Sequence, residues 1–316
     1  MLSKPHHFSA PDESSVMKLS SLHHQASQLI DHALTQHYPK ATLYVVATPI
    51  GNLADVSLRC LTVLSLVDYV AAEDTRVTGQ LLRLLGLQKS LIACDSYRET
   101  QAAESIITRL KAGERVALLS DAGTPAVCDP GSVVVAAVQF AGFKVVPLPG
   151  ACSISTALSA SGIGQGGFIF AGFAPNKGAD RNRFFASLRD ATLPTVFFEA
   201  PHRIEDCMKQ LATALEQRLV SVARELTKQF EQIVTLEANK LPGWLQEDPA
   251  RQKGEFVLIA SAAEATSSNS RSLLSSEDLL QRLLPYMSVK DAARLVADIT
   301  GDSKNALYMR ALELKR

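Results

Sequence analysis

The chain has 316 residues, 47% of them hydrophobic and 20% charged, which suits about two globular domains with cores of their own. Lys plus Arg and Asp plus Glu balance at 32 each, so a globally basic nucleic-acid binder is excluded and only local patches could serve that role. Every apolar stretch breaks within about ten residues, too short for a membrane span. The five cysteines are scattered without CxxC or paired His spacing, and read as reduced thiols of a cytoplasmic protein, with no disulfide frame and no metal site.

Residues 1–40 stand apart, holding six of the seven histidines and no arginine. A basic transit peptide would need Arg and would avoid Asp12 and Glu13. Leu19, Leu22, Ala26, Leu29 and Ala33 predict one amphipathic helix, an arm or added helix outside the fold. Order is expected from Leu43. LYVVAT predicts a buried strand leading into Pro49, Ile50, Gly51 and Asn52, then a helix through Leu58, Leu61 and Leu64. Strands at Tyr69–Ala72, Leu91–Cys94, Val116–Leu119 and Lys144–Leu148 recur with helical patterns between them. Such alternation predicts a largely parallel sheet covered on both faces.

The stretch VALLSDAGTPAVCDPG, residues 116–131, carries the strongest local signal. A strand runs into a loop of Ser, Asp, Ala, Gly, Thr and Pro before a helical pattern opens at Gly131. That loop is longer than the roughly 2 to 6 residues usual in α/β units. At the carboxyl end of a parallel strand, such small residues let backbone amides approach a ligand. The GxGxxG at Gly162, Gly164 and Gly167 follows a helix and precedes a strand, the reverse of a dinucleotide site, and reads as a hinge between domains.

In the second half, GFIFAG predicts a strand, FAPNKGADRNR a basic loop, Phe184–Leu188 a helix, TVFFEAPHR a strand with a polar loop, and Ile204–Gln217 a helix. Val220–Glu225, Phe230–Glu237 and Glu255–Ser261 read as three antiparallel strands without intervening helices. The Ala/Ser/Thr run after Ala262 predicts a linker. Beyond Ser276 lie three short helical patterns, with Ser288 and Asp302 or Ser303 as caps and Thr300–Gly301 as a stop. Their last two resemble a helix-turn-helix unit as much as an antiparallel packing pair. The expected organisation is an arm at 1–40, α/β domains at 41–163 and 164–262, a linker at 263–275 and a helical unit at 276–316.

Three polar clusters follow predicted strands: EDTR at 73–76, DSYRET at 95–100 and FFEAPHR at 197–203. A parallel sheet gathers such loops into one crevice. Their arginines suit phosphate or carboxylate ligands and equally well internal ion pairs.

The motifs TPIGNLADVSLR, AAEDTRVTGQLL, LLSDAGTPAVCDPG, PLPGACS, FEAPHR, RELTKQFE and KGEF occur in that order. Together they resemble the class III, tetrapyrrole-methylase-like methyltransferases, and among them the bacterial enzymes that methylate a cytidine 2′-hydroxyl of 16S ribosomal RNA. The resemblance covers residues 42 to about 315. It implies two α/β domains of the tetrapyrrole methylase fold, a parallel first sheet and a mixed second one, and a homodimer. S-adenosylmethionine is the implied cofactor, in a cleft formed by Thr48, Pro49, Gly51, Asp121, Ala122, Gly123, Thr124, Pro125 and Ser153, chiefly through backbone. The implied substrate is 16S rRNA in the small ribosomal subunit, with no metal and no membrane. Glu73, Arg76, Glu199, Arg203 and Glu225 are the catalytic candidates, beside Asp74, Arg224 and Lys228. Arg76, Lys177, Arg181, Arg203 and the basic tail are expected to hold RNA phosphates. A methylase of a porphyrin-like macrocycle and a noncatalytic ribosome-binding protein are the alternatives.

Overall fold

The computed structural model describes residues 13–163, 166–263 and 275–315. The chain divides into two compact units, Met1–Ala262 and Ala263–Arg316. Residues 264–274 of the expected linker and Gly164 of the GxGxxG run lie outside the described residues.

The first unit opens with α1 (Glu13–Leu34). Its C-terminal end is anchored: Ala33 is buried, and the Tyr38 hydroxyl donates to the Ala33 carbonyl at 2.9 Å while its ring enters the core beside Tyr44. There follow β1 (Thr42–Val46), α2 (Leu58–Leu66), β2 (Tyr69–Ala72), α3 (Thr75–Leu84), β3 (Ser90–Ala93), α4 (Glu99–Lys111), β4 (Arg115–Leu119), α5 (Ser132–Phe140) and β5 (Lys144–Leu148). The strands form one parallel sheet in the order β3-β2-β4-β1-β5. Cys60 and Leu64 of α2 and Leu82 of α3 cover one face, and Ile106 and Leu110 of α4 with Val134 and Val138 of α5 cover the other. Burial on both faces explains why these strands are continuous apolar runs. Because β1 lies between β4 and β5, the loops that leave all three emerge side by side.

Helix α6 (Ser153–Ser161) covers the second sheet: Ile154 and Ala157 pack on Val196, Ala223, Val257 and Ile259. Gly162, in the left-handed region at φ 69°, stops it. The chain continues as β6 (Ile169–Phe173), α7 (Gly178–Arg189), β7 (Thr195–Glu199), α8 (Ile204–Leu215), β8 (Leu219–Arg224), β9 (Gln232–Glu237), α9 (Leu241–Gln246) and β10 (Phe256–Ala260). The sheet order is β6-β7-β10-β8-β9, parallel at β6/β7 and antiparallel elsewhere. Phe185, Leu188, Met208, Leu211 and Leu245 fill its outer face.

Two elements correct the sequence reading. The expected basic loop is helical from Gly178, because Arg181 is drawn inward to an ion pair with Glu199. A helix, α9, intervenes before the last strand; Pro242 and Gly243 conceal it in sequence, yet Leu241 and Leu245 bury one turn apart.

The second unit holds α10 (Ser276–Leu283), α11 (Val289–Thr300) and α12 (Lys304–Leu314) around Leu280, Ala292, Ala293, Val296, Leu307 and Ala311. Ser288 caps α11 by accepting from the Asp291 N–H at 3.1 Å, and Gly301 ends it. Arg310 is engaged by Glu277 and Glu313. No helix among the described residues is long and apolar enough to cross a membrane.

Candidate active site

The loops at the carboxyl ends of β1, β4 and β5 are tied to one another. The Thr48 N–H donates to the Gly123 carbonyl at 2.8 Å, and the Thr48 carbonyl accepts the Gly123 N–H at 3.1 Å, a bridge outside the parallel ladder. The buried Thr48 hydroxyl donates to the Ser120 carbonyl at 3.1 Å. Thr124 reaches across to the Ala151 carbonyl at 3.2 Å. Glu99, at the start of α4, accepts the Gly131 N–H at 2.6 Å and fixes the far end of the loop. Gly51, at φ 148°, lies against Thr227 and Lys228 of the β8–β9 loop; a Cβ there would fall 2.6 Å from Lys228 Cγ.

Among the described residues six non-glycine residues have positive φ, and four occupy the two loops facing this cleft: Ala126 (66°), Cys128 (69°), Glu225 (51°) and Thr227 (64°). Such conformations cost roughly 1 to 3 kcal/mol each and persist where surrounding structure enforces them, commonly at ligand sites.

The loops enclose a cavity of about 390 Å³. Of the expected cofactor residues, Asp121, Ala122, Gly123, Thr124 and Ser153 line it. Thr48 acts as a buried latch behind them. Pro49, Gly51 and Pro125 are outside the lining, and Ile50, from the same first loop, is within it.

One end of the cavity is acidic. Glu73 accepts the Asp121 N–H at 3.3 Å, and Asp121 accepts the Asp74 N–H at 3.1 Å. Asp129, from the far part of the same β4–α5 loop, completes the group. Burial first, and then the neighbouring carboxylates, push the Glu73, Asp121 and Asp129 carboxyls up from their ordinary values. A cationic ligand would relieve that crowding. Asp74 faces away: its hydrogen bonds with Arg76, 2.6 Å at the closest, bring it down to about 2. The Arg76 side chain is 89% exposed and pairs with Asp74, so the structure brings Glu73 into the cavity without its expected arginine.

The opposite end belongs to the second sheet. Glu199, at the end of β7, is wholly buried between Arg181, 2.8 Å from Oε2, and Arg203, 2.6 Å from Oε1, and Oε1 also accepts the Ala200 N–H at 2.8 Å. Arg181 also donates to Gln210 and to the Pro175 carbonyl, each at 2.8 Å. Expected to hold RNA phosphate, Arg181 is instead interior, and the group carries one surplus positive charge.

Glu225, which is not in the lining, meets Lys228 at 2.9 Å; Lys228 meets Glu255, which is in the lining, also at 2.9 Å. Burial works against the charged form of Glu225, yet Lys228 and the Glu255 N–H outweigh it and hold the carboxyl below its usual range. Arg224 is consumed by backbone, donating to the carbonyls of Lys253 and Ala250 at 2.6 Å. His202 is exposed and outside the lining. Phe173, at the head of the run read as a basic loop, and Phe198, inside a predicted strand, form an aromatic wall with ring centroids 5.2 Å apart.

Residues 42–242 match the family of Tetrapyrrole (Corrin/Porphyrin) Methylases, and residues 275–315 match the RsmI C-terminal HTH domain. The chain is 43% identical over 274 residues to the ribosomal RNA small subunit methyltransferase I of Neisseria meningitidis serogroup B, covering 87% of this chain and 94% of the relative. Its counterpart in Escherichia coli O157:H7 is 44% identical over 273 residues, with 86% and 94% covered. Among solved structures the chain is similar to the methyltransferase CobJ, with TM-score 0.53, 19% identity, and 70% of this chain and 94% of that one covered. Cobalt precorrin-4 methyltransferase, CbiF, gives TM-score 0.52, 17% identity, and 70% and 95% covered. At those identities the likeness establishes the fold.

Proposed function

The chain belongs to the tetrapyrrole (corrin/porphyrin) methylase family and, within it, to the ribosomal RNA small subunit methyltransferases I, and from that premise we propose that it methylates the ribose 2′-hydroxyl of a cytidine in 16S rRNA from S-adenosylmethionine. The observation that carries the cofactor assignment is the acidic end of the cavity, where three carboxylates with raised proton affinity face Gly123 and the amides around it. That arrangement suits a ligand with a sulfonium and an ammonium charge. When bound, the cofactor supplies a methyl group on positively charged sulfur, which leaves as a thioether as the carbon–oxygen bond forms.

The residues of the chain manage position and proton. The latch formed by Thr48, Gly123, Thr124 and Ala151 fixes the loop amides, and a fixed in-line geometry supplies most of the acceleration expected for such a transfer. Glu73, inside the cavity and with its carboxyl raised above its ordinary value by burial, is our choice as acceptor of the 2′-hydroxyl proton. Glu199 holds Arg181 and Arg203 in place and accepts no proton. Arg76 and Lys177 lie exposed for phosphate, so RNA binding should weaken steeply with salt. We also place the protein in the cytoplasm as a homodimer. An exposed apolar stripe on α5, Val133, Ala136 and Phe140, supports the dimer; light scattering of wild type and Phe140→Asp tests it.

The deciding experiment offers labelled S-adenosylmethionine with small ribosomal subunits, naked 16S rRNA and a tetrapyrrole in parallel. Label in rRNA at a nucleotide resistant to alkaline cleavage is expected. Label in the tetrapyrrole alone would move the substrate class to porphyrin-like macrocycles, and no transfer to any acceptor would leave a noncatalytic ribosome-binding role.

A further inference from the structure

The edge strand β6 breaks its own alternation. Ile169 and Phe170 pair with Thr195 and Val196 of β7, but the next pair is Phe173 with Phe198. Three steps along β6 match two along β7, so one residue is extra. Gly172 supplies the required backbone at φ 70°, and a Cβ there would meet the Cys128 sulfur at 3.4 Å. The bulge changes which side chains share a face. In a regular strand Phe170 and Phe173, an odd number apart, would point to opposite faces. Here both meet Phe198 edge-on, each with ring centroids 5.2 Å from it.

Phe170 is half-buried, whereas Phe173 is 58% exposed and lines the cavity. Bulges beside sites re-aim side chains, and the side chain re-aimed here is a large aromatic ring left open to a ligand. It stands on the second sheet and shares the cavity lining with Glu199 and Pro201. An uncharged, flat group fits an aromatic corner, whereas the cation belongs at the carboxylates.

We propose that Phe173, turned into the cleft by the Gly172 bulge, is the stacking platform for the target nucleobase, which leaves its RNA stack so that its ribose can reach the methyl donor. The inference rests on the rRNA reading above. Methylation of a ribose within structured RNA requires access that stacking denies, and an exposed ring returns part of the stacking energy lost. Phe173 is thus a binding residue for the acceptor base.

The test uses the full-length protein and the variants Phe173→Ala, Phe173→Leu and Phe173→Trp. S-adenosylhomocysteine affinity is read by calorimetry, the oligomer by light scattering, and kcat/KM by methyl transfer to small subunits at saturating cofactor. Base–aromatic stacking predicts that Phe173→Ala and Phe173→Leu lower kcat/KM about 5- to 150-fold, mostly through KM. Phe173→Trp should remain within about threefold of wild type, a rescue that stacking on an indole ring predicts. Affinity for S-adenosylhomocysteine should stay within about twofold in all three, as expected of a residue that meets the acceptor base alone. An equal loss of S-adenosylhomocysteine affinity would assign the ring to the adenine. Unchanged kcat/KM, or a changed oligomer, would overturn the proposal outright. Wild type that labels no rRNA would instead overturn the reading in the preceding section, and this one with it.

Discussion

Gly150 is the point at which a single methyl group should disable the site without touching any ligand. It follows β5, and a Cβ built on it would lie 2.7 Å from the Ala47 Cβ, just beyond β1. Carbon atoms rest about 3.5 to 4.0 Å apart, so Gly150→Ala requires the two loops to separate by about 1 Å. Neither atom can rotate away, since each is fixed directly to backbone. The displaced segment carries the Ala151 carbonyl that accepts from Thr124, and with it the tie between the β4 and β5 loops. Overpacking of this kind costs about 1 to 3 kcal/mol, or about 3 to 10 °C in Tm for a unit of this size. A misplacement near 1 Å also costs about 10²-fold in rate. Thermal unfolding and methyl transfer are the assays, with Ala47→Gly as the partner substitution. The double variant Ala47→Gly/Gly150→Ala removes the opposing methyl and should recover most of the lost transfer, a non-additive cycle. Gly150→Ala with unchanged Tm and unchanged transfer would refute the close-approach reasoning.

Other outcomes are as specific. Glu199→Gln keeps the shape of the side chain but leaves Arg181 and Arg203 facing each other uncompensated, so urea unfolding should show a loss of about 3 to 5 kcal/mol; a loss under about 1 kcal/mol would mean that the guanidinium groups reach water. Glu73→Gln should lower transfer about 10²- to 10⁴-fold if Glu73 accepts the proton, and wild-type rates in the variant would exclude that role. The same substitution bears on stability. Burial and neighbouring carboxylates raise the Glu73, Asp121 and Asp129 pKa values above those of the unfolded chain. Their favourable contribution is therefore complete below the unfolded carboxylate range and is lost as pH rises through the raised values. The ligand-free protein should lose Tm over that window, and Glu73→Gln should lose less and melt higher than wild type at neutral pH.

The first sheet was legible because its physics is local. Leu43–Val46 and Val116–Leu119 are unbroken apolar runs that only a doubly covered parallel strand tolerates. The loop from Ser120 to Pro130 announced itself by its length and its small residues, and a third of the cavity lining comes from it. What stayed hidden depends on partners distant in sequence. Nothing near Arg181 says that it will be drawn under Glu199, 18 residues away. The Phe173 bulge is visible only against the register of β7. Phe198 sits in a run that reads as pure core, while Glu225 and Glu255 acquire their meaning from the lysine between them. Charge clusters did not sort cavity groups from surface pairs, since Glu73 and Arg76 are near neighbours in sequence and differ in exposure.

The strand order of the second sheet also dictates a timetable for synthesis. β10 is the last strand in the chain, yet it occupies the centre of its sheet, between β7 and β8. A chain emerging from the ribosome can close the β8–β9 hairpin early, but β7 and β8 must each wait with an open edge until Phe256–Ala260 appears. Roughly sixty residues separate Glu199 from that strand, which at about 5 to 20 residues per second is about 3 to 12 s of exposure. Unpaired edges of apolar strands are where nascent chains associate wrongly. A chain interrupted before Phe256 would lose the centre of the sheet along with Phe256 and Val257 of the cavity wall. The catalytic cleft is thus completed only after its keystone strand arrives.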